Sequence, residues 1–89
     1  MTKVAKTHGP TAQAVARNIR QARAFRGLTQ DALSAALAAV GHDVPALGIR
    51  RMEKGQRAVT VDDLTALADV LEIDAARLLD PAPLKGYVR

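Results

Sequence analysis

Apolar residues in this 89-residue chain recur at three- and four-residue spacing, and Gly or Pro cuts that periodicity into short runs. A chain built this way folds into short packed helices. Ala12, Val15, Ile19 and Ala22 form the stripe of a first helix, capped by Thr11 and running to about Arg26, where Gly27 stops it; Gly9-Pro10 breaks any helix before it. Thr29 caps a second helix, about Gln30 to Val40, with Leu33, Leu37 and Val40 inward and Gly41 just past its end. The turn His42-Asp43-Val44 leads to Pro45, a residue favoured at the first helical position, and a third helix runs to about Lys54 before Gly55. Thr60-Val61-Asp62-Asp63 is a relative of the capping box and opens a fourth helix with Leu64, Leu67, Ala68 and Leu71 inward. Asp74 caps a last short helix carrying Leu78 and Leu79, and Pro81 and Pro83 forbid its continuation. No segment alternates as a strand does. The expected fold class is all-α, a compact five-helix domain over residues 11–80 with tails at 1–10 and 81–89, and no long helix pair for an up-down bundle.

Composition agrees and narrows the function. The chain has 18 Ala and only two aromatics, Phe25 and Tyr87, which favours helix over sheet. Without Cys there is neither a disulfide nor a thiolate metal site, and His8 and His42 alone make no metal centre. No apolar run is long enough for a membrane span, and no apolar stretch follows Lys3 and Lys6 as in a signal peptide, so the cytoplasm is the expected compartment. Ser34, the only Ser, has no base near it in sequence, and so small a core can hardly wall a catalytic pocket. The expectation is a protein that is not an enzyme and has no cofactor. Net charge is +4, but residues 1–57 carry +7 and residues 58–89 carry −3. A one-sided positive surface suits a polyanion; a solvated surface without a partner is the alternative.

The third helix is the informative one. At 100° per residue Pro45, Ile49 and Met52 cluster on one side, while Leu47, Arg50, Arg51 and Lys54 gather on the other, three cations and no acid. Gly48 lies on the flank, where it leaves room for close packing or for a phosphate. Arg23 and Glu53 each fall about 40° from an inward residue, Ile19 and Ile49, so the two opposite charges are expected to pair. Arg17, Arg20 and Arg26 are spread around the first helix and read as solvated rather than as phosphate ligands. Phe25 lies off the core stripe, covering a neighbouring helix or meeting a second subunit.

Thr29-Gln30-Asp31-Ala32-Leu33, then Ile49-Arg50-Arg51-Met52-Glu53-Lys54-Gly55, then Val61-Asp62-Asp63-Leu64 with Leu67-Ala68 and Leu71, resembles the Cro/repressor-type helix-turn-helix family, also called Xre-like. The resemblance covers about residues 15–79. It implies a lambda-repressor-like fold whose second and third helices form the helix-turn-helix, the third lying in the DNA major groove. Between Gln30 and Glu53 this chain is about five residues longer than the family pattern, which lengthens the turn; Ser34 stands where the family has Ala, and Val59 where it has Pro. The resemblance also pairs the positions of Arg23 and Glu53, and places Gln30 at a position that contacts the DNA backbone.

On this reading Leu47, Arg50 and Arg51, with Ala46 at the edge, are the candidate base-contacting residues. An Arg donates two hydrogen bonds to a guanine, and apolar residues meet thymine methyls or permit close approach. Thr29 and Gln30 at a helix N-terminus, and Lys54, Gln56 and Arg57 after the third helix, are the candidate phosphate contacts. The implied function is a sequence-specific double-stranded DNA-binding regulator, a repressor acting as a homodimer on an operator. The competing reading is an antitoxin-like or coactivator-like protein-interaction domain on the same fold, with Leu84–Val88 as a partner segment.

Overall fold

Capping chemistry decides where each helix of this chain begins and ends. The computed structural model describes residues 9–82, which form α1 (Pro10–Phe25), α2 (Gln30–Ala39), α3 (Ala46–Glu53), α4 (Val61–Leu71) and α5 (Ala75–Leu79), with no strand among the described residues. His8, Pro83, the Leu84–Val88 segment and most of both expected tails lie outside the described residues.

Thr11 is not the cap of α1. The helix starts one residue earlier at Pro10, with Gly9 in the N-cap position and no side-chain cap. Proline lacks the N–H that the first turn would leave unpaired, and its φ already suits a helix, so it starts α1 instead of blocking it. The two threonines at positions 29 and 60 do cap. Thr29 Oγ1 accepts from the N–H of Ala32 at 3.0 Å, and Thr60 with Asp63 forms a complete reciprocal capping box. Asp74 occupies the N-cap position of α5 without a side-chain cap bond.

The end of α2 departs from simple periodicity. Gly41 adopts φ +81°, and the N–H groups of Gly41 and His42 close back onto the carbonyls of Ala38 and Leu37. This left-handed closure stops the helix at Ala39 and swings Val40 out of the inward stripe, where it is 49% exposed. Pro45 is likewise exposed, because it serves as the N-cap of α3 rather than as its first turn. The core place that Val40 and Pro45 were expected to fill belongs to Val44, which is 2% exposed.

The core lies where α1 packs on α3, α4 and α5 and where α2 packs on α3 and α4. Ile19, Leu33, Leu37, Ile49, Leu67 and Leu78 are fully buried at its centre. Leu79, expected beside Leu78, is 40% exposed, and Phe25 is 57% exposed. One polar side chain shares the centre. Asn18 is fully buried, and its Nδ2 donates to the carbonyls of Arg77, Leu78 and Asp80 at 3.2, 3.0 and 2.8 Å. Arg17 is not a solvated residue: it holds Asn18 Oδ1 and the carbonyls of Asp80, Pro81 and Ala82. Together they bind the carbonyls at and just beyond the end of α5 and lock α5 onto α1. Arg26 is also engaged, donating to the Leu71 carbonyl at 2.8 Å across the end of α4.

Candidate nucleic-acid interface

The eight residues of α3 separate cleanly into two faces. Ile49 and Met52 are buried, with Glu53 beside them at 7% exposure, while Leu47, Arg50, Arg51 and the C-cap Lys54 are exposed and Ala46 is half-buried. The outward face therefore presents three cations and one apolar side chain, and its one acid is turned inside. It carries charge of a single sign, on a helix that packs against α2.

That acid is the joint of the pair. Arg23 of α1 meets Glu53 in two contacts, Nε to Oε2 at 2.6 Å and Nη2 to Oε1 at 3.0 Å, while its Nη1 donates to the Leu28 carbonyl at 2.8 Å. The hydrogen bonds that Arg23 donates to Glu53, set against a smaller desolvation, hold its guanidinium even more firmly charged than usual. Gln30 joins the same carboxylate, its Nε2 donating to Glu53 Oε1 at 3.1 Å. The side chain at the start of α2 thus braces α3; of the first-turn backbone N–H groups, that of Ala32 is taken by Thr29 Oγ1, and those of Gln30 and Asp31 have no partner within the helix. Of the first-helix arginines only Arg20 is exposed, on the same side as Lys54.

The lengthened turn, residues 40–45, is held from both sides by contacts that no sequence pattern marked. Ser34 Oγ donates to the Val44 carbonyl at 2.6 Å. His42 Nε2 donates to Asp63 Oδ1 at 2.7 Å, while Asp63 Oδ2 accepts from the Thr60 N–H at 3.0 Å. Asp63 was legible as a first-turn acid of α4; its partner His42 was not, because a histidine in a loop carries no spacing signal. Burial pushes the Asp63 carboxyl up, but the bonds from His42 and Thr60 and the nearby charge of Arg57 outweigh it and hold the carboxyl below its ordinary value. A depressed folded-state value contributes stability that is complete above the unfolded carboxylate range and is lost as pH falls through the folded value. Denaturant unfolding between about pH 6 and pH 2 should show stability falling toward acid, with a shallower fall in Asp63→Asn. An identical pH profile in that variant would remove Asp63 from this role.

Lys54 and Gln56 are exposed beyond α3, and Arg57, half-buried, turns back along it. Gly48 is buried on the flank of α3, and the space next to its Cα is filled by the Arg57 guanidinium. Among the described residues no group of three or more His, Asp or Glu could hold a metal, and no helix is long and apolar enough to cross a membrane.

The family model described as Helix-turn-helix matches residues 19–78, from the middle of α1 to the end of α5. No curated protein and no solved structure matches the chain.

Proposed function

Because this chain belongs to the Cro/repressor-type helix-turn-helix family of DNA-binding regulators, we propose that it is a sequence-specific repressor that inserts α3 into the major groove of a double-stranded operator. The observation that carries this reading is the exposed face of α3, where Leu47, Arg50, Arg51 and Lys54 stand out and the one acid is buried. Leu47, Arg50 and Arg51 meet base edges, with Ala46 at the margin. Thr29, Gln30, Lys54, Gln56 and Arg57 flank the groove and hold phosphates, the first two through the N-terminal turn of α2. One domain reads only a few base pairs, so a homodimer on two half-sites about 34 Å apart completes the site. The reading places the protein in the cytoplasm and gives it neither a cofactor nor a catalytic step.

Arg51 carries the sharpest expectation. Its planar fork matches O6 and N7 of a guanine, and losing such a contact costs ~1–3 kcal/mol at one base position and relaxes preference there. Arg51→Lys should not restore it, since an ammonium lacks the paired donors. Binding-site selection with the wild-type, Arg51→Ala and Arg50→Ala proteins tests the assignment. Variants that keep the wild-type sequence preference and lose only general affinity would make these arginines phosphate anchors. A protein that selects no sequence and co-purifies with a protein partner would favour the interaction-domain reading instead.

A further inference from the structure

A glycine inside an eight-residue helix costs helix propensity, and Gly48 lies in the middle of α3. The structure gives a reason for tolerating it. A Cβ at position 48 would clash with Nη1 of Arg57, with Arg57 Cζ at 3.4 Å and Val44 Cγ1 at 3.0 Å. The missing side chain is a seat. Arg57 arrives from the segment between α3 and α4, folds back over the flank of α3, and rests its guanidinium where a methyl group would otherwise stand. The carboxylate of Asp63, itself fixed by His42 and Thr60, lies close enough to act on Arg57 by charge. A long cationic side chain that would otherwise sample many rotamers is thereby held on the flank of α3.

We propose that Gly48 is a positioning residue for DNA binding: it seats the Arg57 guanidinium on the flank of α3, so that this cation meets a backbone phosphate already ordered. The proposal rests on the reading of α3 as the groove-entering helix. Its physical content is preorganisation: ordering a rotamer-rich side chain at binding costs about 0.5–1.5 kcal/mol, equivalent to roughly two- to thirteenfold in affinity, and a side chain ordered beforehand avoids that loss.

Gly48→Ala displaces the guanidinium without removing its charge. Arg57 is flexible at that end and can swing away, alanine is the better helix former, and the other close neighbour, Val44 Cγ1, has to move only a few tenths of an ångström. The test is a double-mutant cycle on the duplex that the wild-type protein selects, read by fluorescence anisotropy, with thermal unfolding of each variant alongside. Gly48→Ala should weaken binding about three- to tenfold at unchanged base preference. Arg57→Ala should weaken it at least as much, and adding Gly48→Ala to Arg57→Ala should cost nothing more, since a seat without its occupant has no effect. Additive losses, or a Gly48→Ala protein that binds as the wild type does, would overturn the proposal while leaving DNA binding intact. A wild-type protein that selects and binds no duplex would overturn the groove-entering reading itself, and this inference with it.

Discussion

Glu53→Ala should lower stability by about 3 kcal/mol, the lower end of the range for breaking a buried ion pair. The lower end applies because the two partners differ: the Glu53 side chain is 4% exposed and that of Arg23 is 16% exposed. Removing the carboxylate leaves a guanidinium that retains the Leu28 carbonyl and some access to water, and it also orphans the amide of Gln30. For a domain of this size that loss shifts the melting temperature by roughly 12–24 °C. The reverse truncation, Arg23→Ala, leaves the more deeply buried charge without its cation and should be at least as damaging. Thermal unfolding of both single variants and the double variant reads the coupling directly. If the double variant loses the sum of the two single losses, the pair is not acting as a unit, and the account of Glu53 as the joint of α1, α2 and α3 fails.

Affinity for DNA should fall by ~10³ between about 50 and 200 mM salt. The proposed reading brings the cations Lys54 and Arg57 of each protomer to phosphates, and we add Arg20, the one exposed arginine of the first helix, which lies on the same side as Lys54; a dimer then displaces about six counterions, and the logarithm of the binding constant falls with a slope near −0.9 for each. Arg17 and Arg26 do not enter this count, because both are spent on carbonyls within the fold. Arg57→Ala should lower the slope by about one per protomer and weaken all sequences alike. Titrations over this salt range on the selected duplex and on an unrelated one provide the measurement. Affinity that stays flat would count against a nucleic-acid partner altogether.

The positions where the sequence spoke plainly share one property: each depends on neighbours a few residues away. Threonines before a helical run capped α2 and α4, Gly41 closed α2, and the cations of α3 faced outward because Ile49 and Met52 had to face inward. The charges of Arg23 and Glu53 were legible for the same reason, each sitting on the inner flank of its own helix. Val40 and Pro45 show where that logic stops. Periodicity assumes that the helix continues, and a left-handed closure at Gly41 rotates everything after it, so Val44 rather than either of them reaches the core.

What the sequence determined by itself, then, was the all-α class, the number and limits of the helices to within a residue or so, and the one-signed face of α3; these follow from local propensity, capping and 3.6-residue periodicity. What only the tertiary structure decided were the contacts between residues far apart in the chain. Asn18 and Arg17 cap a helix about sixty residues away, Gln30 joins Glu53, His42 reaches Asp63 from the lengthened turn, and Arg57 rests on Gly48. The physical reason is that a polar side chain's partner is fixed by which unpaired carbonyl, carboxylate or open space the packed helices bring within about 3 Å, and no periodicity along the chain encodes that distance.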